Sequence, residues 1–243
     1  MITRPRKVEV VVLGRGLAAA ALADGLAQAG RRVALLVEEP GWERGIRPAW
    51  EGWHMTGGPE GVKREALAAE GAKRLLAWQE DGLPGIMSHA LEDGSALWLL
   101  DYDQLLPALG ARIAAGERCW VAEGTRVRGI SVIEHAILGA IAEDARYDAR
   151  QLINAAEGKR YASFARMMRR PHSLDLAPFP PTASGPLRAT KEGQAAYPNA
   201  TPFPRDRSHP LMEETTVKGG WRIRGVAGWP LLALGIVSQY LQE

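Results

Sequence analysis

Hydrophobic and polar positions change period sharply near the start of the chain. Val8-Glu9-Val10-Val11-Val12-Leu13 is an apolar run of strand length, and Leu17 to Ala29 is rich in Ala and Leu, the composition of a good helix. Gly30 stops that helix, and Val33-Ala34-Leu35-Leu36-Val37 forms a second apolar strand ending in Glu38 and Glu39. The residues from Pro40 to Pro59, with Trp42, Trp50 and Trp53 among glycines, follow no period and predict a loop. From Glu60 to Trp78 the spacing of Val62, Ala66, Leu67, Leu75, Leu76 and Trp78 predicts an amphipathic helix, interrupted or weakened at Gly71. Ala90 to Leu100 predicts strand with a turn at Asp93-Gly94. Asp101 is placed to cap a helix over Gln104 to Ala115 that buries Leu105, Leu106, Leu109 and Ile113.

From Cys119 the texture becomes short strands: 119–122, 126–130, 136–141 and 147–150, followed by Gln151-Leu152-Ile153-Asn154-Ala155-Ala156. This predicts a meander that feeds back into the central sheet. Pro171 to Pro210 is Pro-rich without apolar periodicity and predicts extended or irregular chain. A last strand spans Trp221 to Gly228, and a helix starts near Trp229-Pro230, with Leu231, Leu234, Val237 and Leu241 on its buried face. No internal repeat is present.

The first turn carries the chemistry. A strand running into Gly14-Arg15-Gly16-Leu17-Ala18-Ala19 has the form G-x-G-x-x-A, which aims a helix N-terminus at a pyrophosphate. Gly14 permits the turn, Gly16 lets the phosphates approach the backbone, Leu17 and Ala18 open the helix, and Ala19 keeps the helix close to the strand. An acidic residue at the end of the second strand would accept hydrogen bonds from a ribose. Counted from Gly14, Glu38 falls one residue later than in the commonest form of this unit, so either a bulge realigns Glu38 or Glu39 takes part. The negative charge disfavours a 2′-phosphorylated cofactor unless an arginine such as Arg31 or Arg32 intervenes. This motif alone does not separate NAD from FAD.

Composition narrows the classes. The 243 residues are 46% hydrophobic, and 30 basic against 28 acidic side chains leave a net charge of +2 with no long run of one sign. Nucleic acid and membrane surface are therefore not expected partners. Cys119 is the single cysteine, which excludes a disulfide framework and a C-x-x-C centre within the chain. The histidines at 54, 89, 135, 172 and 209 are scattered, so no metal site is expected. No apolar run reaches the roughly 18 residues of a membrane span, and no signal-peptide core precedes the first strand, so a cytoplasmic location is expected.

Four separated pieces occur together in one known group. They are Gly14-x-Gly16-x-x-Ala19 with its acidic strand end, Asp101-Tyr102-Asp103-Gln104-Leu105-Leu106 with the later Val121 to Ile130 segment, Tyr147 to Gly158, and the terminal strand and helix. With these the chain resembles the FAD-dependent oxidoreductases of the glutathione-reductase-like superfamily, closest to the amino-acid-oxidase-like branch. The resemblance implies an α/β fold: a Rossmann-like FAD-binding domain with a central parallel sheet, a β-meander and a small irregular cap. It assigns residues 1–158 and 221–243 to the FAD-binding domain and 159–220 to the cap or lid. It also implies that the backbone at Val127 contacts adenine and that Ala155, Ala156 and Gly158 close over the dinucleotide. Gly225, Ala227 and Gly228 would lie near the flavin and ribityl chain. The chain departs from the pattern in three places: Glu157 enters the third piece, Ala227-Gly228 stands where many relatives carry Gly-Asp, and the substrate region is short.

The expected function is hydride transfer between a small amine- or hydroxyl-bearing substrate and the flavin, with His54 as the titratable candidate for acid–base work. A structural, hydrogen-bonded His54 is the alternative. Trp50 and Trp53 serve either as pocket walls or as core, and Arg169-Arg170 and Arg205-x-Arg207 either as a carboxylate clamp or as solvated loop residues. Cys119 reads as a buried small hydrophobe. Two other functions stay open: a non-catalytic FAD-binding subunit whose active site is completed by a protein partner or a second copy, and an NAD-binding Rossmann protein.

Overall fold

Val10–Leu13 and Val33–Val37 form neighbouring parallel strands in which every residue is 0 or 1% exposed. Runs that are apolar on both faces belong to a sheet covered on both sides, which is why these strands do not alternate. The structure is a computed structural model and describes residues 5–38, 42, 48–52, 59–91, 96–156, 172–173, 195–202, 211–215, 217–224 and 230–242.

In chain order the elements are β1 (Arg6–Lys7), β2 (Val10–Leu13), α1 (Leu17–Gln28), β3 (Val33–Val37), β4 (Ala49–Gly52), α2 (Pro59–Glu80), β5 (Ile86–Ala90), β6 (Ala96–Leu100) and α3 (Tyr102–Ala115). There follow β7 (Cys119–Glu123), β8 (Val127–Ile133), β9 (Ala136–Ala142), β10 (Arg146–Asp148), β11 (Gln151–Asn154), β12 (His172–Ser173), β13 (Thr201–Pro202), β14 (Leu211–Glu214), β15 (Gly220–Arg224) and α4 (Pro230–Tyr240). The chain divides into two compact units, one of residues 1–42, 109–176 and 211–224, the other of residues 43–108, 177–210 and 225–243.

The first unit is built on a seven-stranded sheet in the order β12-β14-β15-β11-β2-β3-β7. From β15 to β7 all neighbours are parallel, while β14 and β12 add antiparallel strands at one edge. Helix α1 connects β2 to β3, and its run of alanines lets it lie close to the sheet. It ends in a Schellman turn: Gly30, at φ +82°, donates to the Ala27 carbonyl and Arg31 donates to that of Leu26, both at 3.0 Å. This is the stop that the sequence places at Gly30.

The strands β8, β9 and β10 form an antiparallel meander, with β1 parallel to β10. The β8–β9 turn is the two-residue Glu134-His135 pair, both at positive φ (49° and 60°), the geometry that matches strand twist in a tight hairpin. Ile137, Ala140 and Tyr147 of the meander pack with Val11, Leu13, Leu36 and Leu152 of the sheet in one buried cluster. Each such Val or Leu contributes about 1.5–3 kcal/mol of transfer free energy. The fold is α/β and Rossmann-like, with the central parallel sheet and the meander expected from the sequence.

The second unit has a four-stranded sheet, β13-β4-β6-β5, in which β6 is antiparallel to both β4 and β5. Here the structure corrects three expectations. The stretch expected to be loop contains β4, because Ala49 to Gly52 finds ladder partners in Leu97 to Leu100, which local sequence does not show. Gly71 does not interrupt α2, which runs through it. A Cβ there would stand 2.0 Å from the Leu231 carbonyl oxygen, and one on Gly235 would stand 2.0 Å from that of Leu67. Two glycines, each facing the backbone of the other helix, let α2 and α4 cross at close range. Finally, α4 does not bury one face: Pro230 to Ser238 are all buried, as in a helix surrounded by protein, while Leu241 is half-buried. Asp101 does cap α3, its Oδ1 accepting the Asp103 N–H at 3.1 Å, and Leu105, Leu106, Leu109 and Ile113 are buried as expected. The expected cap, 159–220, lies mostly outside the described residues.

Candidate functional site

At the end of β2 the chain turns at Gly14, whose φ of +140° suits only glycine. Its amide donates to the Leu36 carbonyl at 3.1 Å, and on the other side the Ala155 amide donates to the Leu13 carbonyl at 2.8 Å. A Cβ on Gly14 would lie 2.8 Å from the Ala155 carbonyl oxygen and 3.1 Å from the Ala156 nitrogen. Two stretches that the sequence singles out 141 positions apart therefore meet at the C-terminal ends of adjacent parallel strands. The turn after β11 is held by Asn154, 3% exposed, whose Oδ1 accepts the Ala156 N–H at 3.1 Å.

Gly16 is the N-cap of α1 in extended conformation, and among the described residues no side-chain capping hydrogen bond is made there. No acidic residue stands in the first turn, and Leu17 and Ala18 are buried apolar residues. The first-turn amides thus form an anion-receptive end, with no acidic residue of the helix's own first turn to fill it.

Glu38 follows β3 directly. The β3–β7 register runs from Val33 opposite Cys119 to Val37 opposite Glu123 without a shift, and Glu38 is the residue after that last pair. Its carboxylate Oε1 lies 3.8 Å from Arg126 Nε, with side-chain exposures of 17% for Glu38 and 73% for Arg126. The arginine beside this acid is therefore Arg126. Arg31 is engaged elsewhere, its Nε donating to Glu9 Oε1 at 2.9 Å and its Nη2 to Gln151 Oε1 at 3.2 Å. The Arg32 backbone N–H and the Arg31 guanidinium hold the Glu9 carboxyl below its ordinary range.

Val127 opens β8, half-buried, opposite Ala142. Trp42 is buried against Gly110, which leaves room for the indole, while Trp50 stands opposite Leu99 in the sheet. Cys119 is buried, and burial pushes its thiol up to about 12, as for an inert apolar packing residue. His54, Glu39, Gly158, Gly228, Trp53, Arg169, Arg170, Arg205 and Arg207 lie outside the described residues. Among the described residues no group of three His, Cys, Asp or Glu side chains is arranged to hold a metal, and no helix is long and apolar enough to cross a membrane.

Sequence reading missed two pairings. One is Arg126 with Glu38, for which adjacency to Val127 was the available signal. The other is the buried Asp24, joined to Arg112 and to Gln28; an acid in an otherwise apolar helix is the trace it leaves.

No family model matches the chain, and no curated protein matches it. Solved structures share its fold. L-proline dehydrogenase from P. horikoshii superposes with a TM-score of 0.58 at 14% identity, covering 98% of this chain and 93% of that one. Glycine oxidase from Bacillus cereus gives 0.57 at 15% identity, covering 96% and 93%. A probable FAD-dependent monooxygenase from Pseudomonas aeruginosa gives 0.50 at 15% identity, covering 71% and 48%. At these identities the likeness is one of fold.

Proposed function

We propose that the chain binds FAD and acts as an oxidoreductase, passing a hydride between a small amine- or hydroxyl-bearing molecule and the flavin. The observation that carries this reading is the convergence at the strand ends: the Gly14 turn packed on Ala155, the uncapped N-terminus of α1, and Glu38 closing β3. The donor set fits the group. Backbone N–H groups at Leu17 and Ala18 take the pyrophosphate, which the missing Cβ of Gly16 admits. Glu38 accepts from the adenosine ribose, with Glu39 its alternative from sequence. As the resemblance implies, the Val127 backbone would meet the adenine and Ala155 and Ala156 would lie beside the dinucleotide, with Gly158 added from sequence.

Bound FAD supplies the redox chemistry by accepting or returning a hydride. The chain binds and orients it. The resemblance implies that Gly228 would lie near the flavin, and the sequence alone offers His54 as the group to hold or take a substrate proton. Two structural neighbours are named for oxidation of proline and glycine, so small amino acids are the first substrates to try. The chain purified without added cofactor should show flavin absorption, or gain it on titration with FAD. Absence of both overturns the reading. FAD should also raise the unfolding temperature more than NAD at equal concentration, in proportion to ln(1 + [L]/Kd). Turnover by the isolated chain separates an enzyme from a subunit that needs a partner.

A further inference from the structure

We propose that Arg126 is a positioning residue for the adenosine end of the cofactor, acting through Glu38; the inference rests on the dinucleotide reading above. The backbone places this arginine deliberately. Where β3 and β7 end side by side, Val37 stands opposite Glu123, and the chain then turns through Gly124 at φ +68°. The Thr125 amide donates back to the Val37 carbonyl at 3.2 Å, and the Arg126 carbonyl accepts the Glu143 amide at 3.0 Å. Arg126 is thus anchored on both sides, one residue before Val127, with its side chain beside the acid that closes β3.

The contact itself is of a useful kind. At 3.8 Å the Nε to Oε1 separation is that of an ion pair and too long for a hydrogen bond. Coulombic attraction restrains the carboxylate to one side while its lone pairs stay open to hydroxyl donors. A carboxylate aimed before the ligand arrives loses less conformational freedom when two ribose hydroxyls dock on it. Because Arg126 is largely exposed, the effect is modest and sensitive to salt.

Titrations of FAD, and separately of ADP, against wild-type and variant chains test this. Arg126→Ala should weaken both ligands by the same factor, about two- to fivefold at low salt, and less at high salt. Arg126→Lys should recover part of the loss, and Arg126→Glu should weaken binding about tenfold through like-charge repulsion. In a Glu38→Gln background Arg126→Ala should change nothing further, because its effect passes through the carboxylate. Unchanged or tighter binding by Arg126→Ala overturns the inference alone, as does a full loss that persists with Glu38→Gln. A wild-type chain that takes up neither FAD nor ADP overturns the dinucleotide reading and this inference with it.

Discussion

Arg112 reaches Asp24 with two arms of its guanidinium, Nε to Oδ1 at 3.2 Å and Nη2 to Oδ2 at 3.5 Å, on an acid that is 4% exposed. Gln28 adds a third donor at 3.0 Å. Removing one partner of such a pair leaves the buried charge with less compensation. Arg112→Ala should therefore cost about 2 kcal/mol, less than the full buried-pair penalty because Gln28 remains and Arg112 is partly exposed. The double replacement Asp24→Leu with Arg112→Leu should be less destabilising than Arg112→Ala alone. Urea denaturation of the three variants decides it.

Gly14→Ala places a methyl 2.8 Å from the Ala155 carbonyl oxygen at a φ that L-residues avoid. FAD uptake should be lost and stability reduced by about 2 kcal/mol. Gly82 provides the contrast. Its φ is +81° with nothing within 4 Å of an added Cβ, so Gly82→Asn should cost less than about 1 kcal/mol and leave FAD uptake unchanged. Equal effects of the two substitutions on FAD titration would refute the assigned role of Gly14.

The crossing of α2 and α4 depends on two absent methyl groups. Gly71→Ala and Gly235→Ala should each destabilise by about 2 kcal/mol or more, since each new Cβ would stand 2.0 Å from a backbone oxygen that cannot rotate away. Thermal unfolding measures the loss. A neutral Gly71→Ala would mean that the helices separate at little cost.

Cys119 should make the protein sensitive to alkali. Burial raises its thiol from 9.0 in the unfolded chain to about 12 in the fold. Below pH 9 the thiol is neutral in both states, and its contribution to stability is fully present. Between pH 9 and about 12 the unfolded chain releases the proton first, so that contribution is lost as pH rises. Cys119→Ala should lower stability at pH 7 yet flatten its decline above pH 9. Native protein should also resist thiol alkylation at pH 8 until denatured.

What the sequence disclosed and what it withheld differ in range. The buried strands β2 and β3, the Gly30 stop and the Asp101 cap were legible because each is encoded within a few neighbouring residues. The course of β7 to β11 was legible too, since apolar strands punctuated by turn residues leave little choice. Strand β4 was hidden because its ladder partners lie nearly fifty positions on, and Gly71 looked like a weakness because its reason is the Leu231 backbone. Of the candidate site, the Gly14 turn was visible in advance, and its packing on Ala155 followed from the fold. The Arg126 contact was missed, since Arg31 and Arg32 are nearer in sequence to Glu38, but the Arg31 guanidinium and the Arg32 backbone N–H meet Glu9 instead.

The order of strands in the parallel sheet carries a consequence for how the protein forms. Strand β2 is flanked by β3, made shortly after it, and by β11, made more than a hundred residues later; β11 in turn waits for β15, which begins at residue 220. During synthesis the apolar edge of β2 stands open long after its own βαβ unit can close. Such non-local closure is slow, and an unpaired apolar edge invites pairing with another chain. Yield of folded protein should therefore depend on temperature and expression rate more steeply than equilibrium stability does.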